Sequence, residues 1–273
     1  MTPQTKKLLR STAGIIGRSF NKLGNKRKCY VCSRRFSYFT KFAGGSRNIS
    51  EFNQRLNIVG SDVDNFGCMY CESHDRERHL FMFFDRTGLW DKARGASVLH
   101  FAPEKNLSKR LEDNHPVNYV KADLFPNEEG IRKIDATRVP FEDHTFDMII
   151  ANHILEHIPD HFAALREFYR VLKPGGVGIF QTPYSTLLKE NFEDENINTD
   201  DLRLFFHGQR DHVRTFGEYR FMRSLEETGF HLQIAKHAEF FDSQMTYLYG
   251  VNSKEDLIQV IKPLSAAPKL PSV

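Results

Sequence analysis

Short apolar runs alternate with amphipathic stretches from residue 97 onward. Between the runs, apolar side chains recur at helical spacing, first near Leu107–Leu111 and again from Phe162 to Leu172. Strands that alternate with helices are typical of a parallel sheet covered by helices. The pattern predicts an α/β fold. The predicted strands are Ser97–Phe101, Asn118–Ala122, Ile131–Ile134, Phe146–Ala151 and Val177–Thr182.

The chain after this last strand is less regular. Pro174-Gly175-Gly176 is interpreted as the end of the preceding helix. Residues 184–216 are polar and predicted to be irregular, forming an insertion long enough to cap a substrate. A helix at about 218–228 and final strands at about 231–236 and 244–250 complete the predicted domain.

Size and composition allow one medium domain and one small domain. The chain has 273 residues, of which 40% are hydrophobic and 12% aromatic, which suffices for a packed core. No run of about 18 apolar residues occurs, so we expect no membrane span. The formal net charge of +3 does not by itself indicate a nucleic-acid partner.

Residues 1–28 form a basic leader without an acidic residue. Its apolar side chains fall roughly on one helical face, but Gly14, Gly17 and Gly24 weaken a long helix. The leader is either a helix that contacts a membrane surface or a polyanion, or a poorly ordered segment that packs on its own domain. It lacks the apolar core of a secretory signal, so we expect a cytoplasmic protein.

All four cysteines of the chain stand in two CxxC pairs, Cys29/Cys32 and Cys68/Cys71. Each pair offers two thiolates from one tight turn, and two pairs complete a tetrahedral zinc site. Disulfides and redox chemistry are the alternatives, but paired CxxC spacing without a secretory signal favours metal. We predict a structural zinc, with four sulfur ligands and no open position.

These features divide the chain into five predicted parts. They are a basic leader at 1–28, a zinc-binding module at 29–72, a connecting helix at 73–96, a catalytic domain at 97–262 with a cap insertion at 184–216, and a flexible tail at 263–273. Aromatic residues between the two cysteine pairs are expected to form a small core around the metal, namely Phe36, Tyr38, Phe39, Phe42 and Phe52.

Polar residues follow the predicted strands at their carboxyl ends, where ligands bind in open α/β sheets. Acids at the ends of two successive strands suit a nucleoside, because a carboxylate accepts the ribose hydroxyls. The turn after the first strand leads into a helix N-terminus that favours a negative group. The residues concerned are His100, Glu104, Asp123, Asp135, Asn152 and His153.

Residues 134–160, continuing to Arg170-Val-Leu-Lys-Pro-Gly-Gly176, closely resemble class I S-adenosylmethionine-dependent methyltransferases. The resemblance covers roughly 97–250. The cysteine pairs, Ser73-His-Asp-Arg-Glu-Arg-His79, Leu99-His-Phe-Ala-Pro-Glu104 and Gln209-Arg-Asp-His-Val-Arg214 resemble a bacterial subgroup with an N-terminal zinc module. The resemblance implies a Rossmann-like methyltransferase sheet with a small zinc-binding module, S-adenosylmethionine as cofactor and zinc as a structural ion.

The resemblance also implies roles for individual residues. Asp123 matches the ribose-binding acid, Asp135 and Ala136 match the adenine-contacting pair, and Asn152 matches the residue beside the methionine moiety. The first loop departs from the glycine-rich pattern of the family. It has His100, Ala102, Pro103 and Glu104 instead, and Glu104 is expected to contact the amino group of the cofactor.

An oxygen acceptor needs a base, and two histidines are candidates. His157 follows the fourth strand, and His212 lies in the later polar segment with Asp211 available to orient it. Arg214 is expected to pair with an acceptor anion. Alternatively His153, Glu156 and His157 bind a divalent cation, in the way ubiquinone-type O-methyltransferases place ligands after this strand.

The leading functional prediction is methylation of a small-molecule or glycan acceptor, on oxygen. An RNA methyltransferase whose zinc module grips nucleic acid is the second prediction, and a non-catalytic zinc-dependent adaptor the third. No Asn-Pro-Pro-Tyr-type base-binding motif follows the fourth strand, and the basic excess is confined to the leader. Peripheral membrane contact through the leader stays open, as does the oligomeric state.

Overall fold

The computed structural model describes residues 21–264. Most of the predicted leader and the tail from residue 265 lie outside this range. Two short 3-10 helices occur at Ser46–Asn48 and Leu155–His157. The α-helices are Glu51–Arg55, Asp75–Thr87, Leu89–Ala93, Lys105–Asp113, His161–Val171, Asp200–His207, Glu218–Thr228, His237–Phe240 and Ser243–Tyr249.

The strands within the described range are β1 (Arg27–Lys28), β2 (Arg35–Phe36), β3 (Ile58–Val59), β4 (Ser97–Phe101), β5 (Asn118–Asp123), β6 (Ile131–Lys133), β7 (Phe146–Ala151), β8 (Leu172–Ile179), β9 (Tyr184–Ser185), β10 (Phe216–Gly217), β11 (His231–Ala235) and β12 (Leu257–Ile261). Seven of them form one sheet, in the order β11-β12-β8-β7-β4-β5-β6. β12 runs antiparallel to both of its neighbours, and the other pairs are parallel. The α/β prediction is therefore confirmed.

The central strands are buried on both faces of the sheet, as parallel strands between helices are. Alternate residues of a strand point to opposite faces. Leu99 and Ile149 pack with helices His161–Val171 and Glu218–Thr228. Val98, in the same strand as Leu99, packs on the other side with helix Asp75–Thr87.

One predicted element is wrong at the C-terminal end, and one strand was not predicted. The stretch predicted as a strand at 244–250 is the helix Ser243–Tyr249, and the last strand is β12 instead. The Asp242 side chain accepts a hydrogen bond from the Met245 amide at 2.7 Å, which caps the helix, and Gly250 at φ 59° ends it. The caps at both ends thus favour a helix over a strand in this segment.

Two further features of the structure differ from the sequence interpretation. Helix His161–Val171 ends before Pro174, and the Pro-Gly-Gly segment lies within β8. The cap insertion is not irregular throughout, because it contains β9 and helix Asp200–His207. Thr199 caps that helix by accepting a hydrogen bond from the Leu202 amide.

The N-terminal module contacts the cap insertion as well as the cysteines. β3 pairs with β9, which also pairs with β10. Ser50 and Asn53 both donate hydrogen bonds to the Phe205 carbonyl, at 2.7 Å each. Phe52, predicted to lie in the metal-centred core, instead packs against Phe205 and other aromatic rings of the insertion. Residues 50–59 therefore brace the cap.

A buried arginine joins the N-terminal module to the domain that contains the seven-stranded sheet. Arg78, in helix Asp75–Thr87, is fully buried. Its five N–H groups each meet a backbone carbonyl, at 2.6 to 3.0 Å. Its guanidinium also lies 3.8 Å from the centre of the Phe39 ring. Three chain segments are thus tied together by one side chain. The accepting carbonyls belong to Asn65, Phe66, Ser73, Tyr249 and Gly250.

No helix within residues 21–264 is long and apolar enough to cross a membrane.

We predict that Arg78→Lys lowers the free energy of unfolding by about 2–4 kcal/mol, because an ammonium has three donors and leaves buried carbonyls without partners. Urea unfolding measures the difference. Arg86→Lys, in an exposed position of the same helix, is the matched control and should cost about 0.5 kcal/mol or less. Equal effects of the two substitutions would contradict this role for Arg78.

Candidate active site and metal centre

The loops after β4, β5 and β6 meet at the carboxyl edge of the sheet. The Ala102 amide donates to the Ala122 carbonyl at 2.8 Å, and the Ile134 amide donates to the Asp123 carbonyl at 2.9 Å. These bonds continue the sheet pairing past the strand ends. They bring the predicted cofactor residues of three loops to one edge.

The first loop keeps a glycine-like backbone without glycine. Ala102 has φ 44°, in the left-handed region that glycine adopts at little cost. The next residues, Pro103 and Glu104, lead into helix Lys105–Asp113. The tight turn that the family resemblance implies is therefore present at the cost of local strain.

Glu104 lies at the centre of a hydrogen-bonded chain that links three strand ends. Its Oε2 is 2.8 Å from His100 Nε2, and its Oε1 accepts from Asn152 Nδ2 at 3.2 Å. Asn152 Oδ1 in turn accepts from the Gln181 amide at 3.3 Å. Burial acts to raise the pKa of Glu104, but the His100 bond and charge outweigh it, and the pKa is lowered. Glu104 is thus a carboxylate at neutral pH.

Asp123 and Asp135 each use one oxygen to fix a turn. Asp123 Oδ1 accepts from the Phe125 amide at 2.7 Å, and Asp135 Oδ1 accepts from the Thr137 amide and hydroxyl at 2.8 Å. The other oxygen of each has no hydrogen bond to residues 21–264 and can accept from a ligand. Ala136 beside them is buried.

A second group of polar side chains lies just past β7. Glu156 is 1% exposed, and its Oε2 accepts from the Thr182 hydroxyl at 2.9 Å. Its Oε1 lies 3.5 Å from His153 Nδ1 and 4.0 Å from His212 Nε2. All three of these atoms are buried and without a hydrogen-bond partner in the described chain. His153 is further strained, at φ 53°.

Both candidate bases have one ring nitrogen held by a backbone carbonyl. His212 Nδ1 is 3.1 Å from the His207 carbonyl, so it carries the proton and leaves the Nε2 lone pair free. His157 Nδ1 is 3.2 Å from the Asp211 carbonyl and 3.3 Å from Asp211 Oδ2. The two rings meet edge to face, 4.7 Å apart.

This arrangement corrects the role expected for Asp211. The sequence interpretation has Asp211 orienting His212, the next residue. In the structure Asp211 contacts His157, and the His207 carbonyl orients His212. Asp211 lies in a turn just before His212, so these sequence neighbours need not share a partner.

Arg214 is likewise not available for an acceptor anion. It is 3% exposed, and its guanidinium donates to the carbonyls of Leu155, Ile158 and Pro159 and to Glu193 Oε2. These bonds hold the segment after β7 against the cap insertion. Arg214 thus positions His157 and His212 indirectly.

The charge state of this group follows from burial and proximity. Burial lowers the pKa of His212, an effect that the nearby Glu156 opposes. Burial acts to raise the pKa of Glu156, but the proximity of the His153, His212 and His157 imidazoles outweighs it and lowers the pKa to about 2. At neutral pH the group holds an ionised carboxylate and a neutral imidazole, both facing inward as acceptors.

The four cysteines come together as their spacing predicts. Cys29 Sγ lies 3.6 Å from Cys71 Sγ, and Cys32 Sγ lies 3.8 Å from Cys68 Sγ. A tetrahedron with Zn–S bonds of about 2.3 Å has edges of about 3.8 Å. The four thiols form no disulfide. The donor set and its spacing therefore fit a zinc ion.

The two CxxC hooks have the same backbone geometry. The Cys29 carbonyl accepts from the Ser33 amide at 2.9 Å, and the Cys68 carbonyl accepts from the Glu72 amide at 3.0 Å. Ser33 and Glu72, each just after the second cysteine of its hook, have φ 61° and 62°. Two like turns therefore face each other across the sulfur atoms. Burial raises the pKa of the Cys32 thiol to about 12, so a cation is needed to hold it as thiolate.

Residues 90–180 match the family model of a methyltransferase domain, which is one third of the chain. The chain carries a methyltransferase domain. Its cofactor is S-adenosylmethionine, the methyl donor of this domain class.

The curated relatives align with only a short part of the chain. A demethylmenaquinone methyltransferase of Staphylococcus epidermidis is 43% identical over 54 residues, which is 19% of this chain and 22% of the relative. A Staphylococcus aureus protein of the same name is 44% identical over an equal span. The chain thus spans about a fifth of the length of these curated relatives.

Among solved structures, an S-adenosylmethionine-dependent methyltransferase from Mesorhizobium loti matches with a TM-score of 0.47 and 13% identity. The match covers 66% of this chain and 97% of that one.

Sequence reasoning missed several residues that lie near the candidate site. Gln181 and Thr182 contact Asn152 and Glu156, and their position at the end of the predicted fifth strand was a sufficient signal. Arg76 and Glu77 were recognised only as part of a charged motif. Their place at the sheet edge depends on how helix Asp75–Thr87 packs, which no local pattern reveals.

We predict that Asp123→Ala weakens binding of S-adenosylhomocysteine by about 10- to 150-fold, the cost of about 1.5–3 kcal/mol for a lost charged hydrogen bond. Isothermal titration calorimetry measures the dissociation constant. Asp91→Ala, at a side chain that is 83% exposed, should leave it unchanged. An unchanged affinity in Asp123→Ala would remove this residue from the cofactor site.

Proposed function

We propose that this protein transfers the methyl group of S-adenosylmethionine to an oxygen of a small-molecule or glycan acceptor. The observation that carries the proposal is the pair of inward-facing acceptor atoms, Glu156 Oε1 and His212 Nε2. Both are buried and lack a hydrogen donor within the described residues. An unpaired buried acceptor is costly, so the site calls for a ligand that brings a donor.

A hydroxyl group is the donor that makes chemical sense beside a methyl donor. The bound cofactor supplies a methyl group on a positive sulfur that needs no further activation. An acceptor hydroxyl placed at the cluster would donate its hydrogen bond to His212 Nε2. As its oxygen bonds to the methyl carbon, the proton passes to that nitrogen and the carbon–sulfur electron pair stays on sulfur. Glu156 stabilises the imidazolium that results.

Two histidines remain as candidate bases, and they differ in burial and in the groups that hold their rings. His212 is buried, with its proton fixed on Nδ1 by the His207 carbonyl. His157 is more exposed, and its Nδ1 lies 3.3 Å from Asp211 Oδ2. We favour His212 because its free nitrogen lies beside the ionised Glu156 and away from bulk water, with His157 and Asp211 lining the acceptor side.

We further propose that the four cysteines hold one structural zinc ion. The support is the tetrahedral spacing of the sulfur atoms and the matched turns of the two hooks. Zinc would hold residues 29–42 and 67–73 together, and through Arg78 keep helix Asp75–Thr87 against the sheet. The cysteine site offers no open coordination position for catalysis.

The acceptor class rests on charge and on the cap. The basic and acidic residues nearly balance, at 38 and 35, which gives no broad field for nucleic acid. The cap insertion contacts the cluster through His212, which faces Glu156, and through the Val213 amide, which donates to the Glu156 carbonyl at 2.9 Å. Such a cover suits a small acceptor. The curated relatives are named for a quinone precursor, and their match of 54 residues supports a shared cofactor domain only.

We predict that His212→Ala lowers kcat by about 10²–10⁴-fold, the usual contribution of a general base. The affinity for S-adenosylhomocysteine should stay unchanged, because His212 lies outside the cofactor edge. In the wild type, kcat should rise with pH and level off below the ordinary histidine pKa of about 6.5, since burial lowers the pKa of His212. Turnover assays across pH test both points.

His157→Ala provides the rival outcome for the base. If this change alone abolishes turnover, His157 is the base and His212 positions the acceptor. If neither change lowers kcat, oxygen methylation by base catalysis is wrong.

A second candidate use of the same cluster is divalent metal binding. Glu156, His157 and His212 each offer a ligand atom, and these atoms lie within 4.8 Å of one another. A carboxylate with two imidazoles is a common ligand set for zinc and for non-haem iron. In that case a metal would activate the acceptor oxygen, and no histidine would act as base.

Metal stoichiometry separates the two uses. We expect plasma mass spectrometry to find one zinc per chain, reduced in Cys32→Ser and unchanged in His212→Ala. Cys32→Ser should also lower the thermal midpoint more than it lowers kcat at permissive temperature. Two metal ions per chain, with one lost in His212→Ala, would identify the cluster as a metal site. No metal in freshly purified reduced protein would contradict the zinc proposal.

The nucleic-acid alternative has its own test. RNA binding through phosphate contacts weakens steeply as salt rises. Filter binding of structured RNA should show no saturable, salt-dependent retention below micromolar protein. Tight binding with a steep salt slope would favour an RNA acceptor.

A further inference from the structure

The first turn of helix Asp75–Thr87 carries four consecutive charged residues at the carboxyl edge of the sheet. Three of them, Asp75, Glu77 and Arg78, are buried, and the fourth, Arg76, is half-buried. Four charges side by side at an edge that binds a ligand are costly unless each has a partner. Three of the four have partners within the chain.

Glu77 reaches across to the helix that follows β4. Its Oε1 accepts from the amides of Asn106 and Leu107 at 2.7 and 2.8 Å, and its Oε2 accepts from Asn106 Nδ2 at 2.9 Å. The carboxylate thereby caps the N-terminus of helix Lys105–Asp113. Asn106 Nδ2 also lies 3.3 Å from the Cys71 carbonyl, in the second cysteine hook.

Arg78 and Asp75 are fixed on the other side of this turn. Arg78 donates all five N–H groups to backbone carbonyls, and Asp75 Oδ2 accepts from the Asp62 amide at 2.5 Å. The turn is thus held from both sides, so the direction of Arg76 is preorganised. Arg76 itself makes no hydrogen bond or ion pair with residues 21–264.

Arg76 lines a narrow crevice between this helix and the strand ends. His153, Gln181 and Glu255 lie on the facing wall, and His79 lies on the same side as Arg76. Both ring nitrogens of His153 are buried without a hydrogen-bond partner. The crevice therefore contains an imidazole whose hydrogen-bonding capacity is unused among the described residues.

The crevice adjoins the predicted contact for the amino group of the cofactor. The amide of Gln181 bonds to Asn152, and Asn152 bonds to Glu104. Two hydrogen bonds thus separate the wall of the crevice from Glu104.

We infer that Arg76 binds the carboxylate of the methionine end of the cofactor. That end carries one ammonium and one carboxylate. Glu104 is the anion expected to meet the ammonium, and no residue assigned so far meets the carboxylate. A guanidinium matches a carboxylate in charge and in fork geometry, which makes Arg the preferred partner. The inference rests on the proposed function, since it assumes that this edge binds S-adenosylmethionine.

Glu255 is the one acidic group on the crevice that competes for Arg76. Its Oε2 lies 3.4 Å from His79 Nδ1, and no oxygen of Glu255 comes within ion-pair distance of Arg76. Asp75, the neighbouring acid in the helix, is tied to the Asp62 amide. Arg76 is therefore free to pair with a carboxylate that enters from solvent.

Calorimetry with two ligands tests the assignment on the full-length protein. S-adenosylhomocysteine keeps the amino-acid end of the cofactor, whereas 5′-methylthioadenosine keeps the nucleoside and the thioether and lacks that end. We expect Arg76→Ala to weaken the binding of S-adenosylhomocysteine by about 10- to 150-fold, the effect of losing a charged hydrogen bond. Its affinity for 5′-methylthioadenosine should be unchanged. Arg76→Lys should recover part of the loss.

Arg86→Ala, an exposed position in the same helix, is the matched control and should bind both ligands as the wild type does. Unchanged S-adenosylhomocysteine affinity in Arg76→Ala would overturn the inference and leave the proposed function standing. An equal loss of affinity for both ligands would also overturn the inference, because the effect would then come from a distorted site. A wild-type protein that binds neither ligand would overturn the proposed function along with it.

Discussion

The hydrogen bonds of Arg78 are the constraint on which the placement of the site depends. Five carbonyls from three segments converge on one buried guanidinium. A buried charge is tolerated only when its hydrogen bonds are complete, so these segments cannot drift apart without a large cost. The first turn of the helix is thereby fixed against the sheet edge. Glu77 then holds the helix after β4, and this contact fixes the loop between β4 and that helix.

The same constraint gives the cysteine module a role beyond its own fold. Its second hook contacts Asn106 through the Cys71 carbonyl, and its aromatic core lies against Arg78 through Phe39. The module also reaches the cap through β3. One small unit thus touches both the helix that follows β4 and the cap insertion, which contributes His212 to the cluster with Glu156 and His157. A structural ion in such a place supports the geometry of the site without taking part in the chemistry.

Much of the fold could be predicted because its signals are local. The central strands of the sheet are apolar runs in the sequence, and the cysteine spacing predicted the sulfur cluster. The strand predicted at 244–250 was wrong because Asp242 and Gly250 cap a helix there. The partners of Asp211 and Arg214 were missed for a different reason. Both depend on how the cap folds back over β7, and that path is set by tertiary contacts such as Phe52 with the cap rings.

The central claim is that the carboxyl edge of the sheet holds the cofactor with its sulfur facing the cluster of Glu156, His157 and His212. A crystal structure of the complex with S-adenosylhomocysteine tests this directly. We predict the ribose at Asp123, the amino-acid end between Glu104 and Arg76, and room for an acceptor oxygen about 3–3.5 Å from the methyl position on the side of His212. A sulfur atom that faces away from this cluster, or a nucleoside bound elsewhere, would contradict the account.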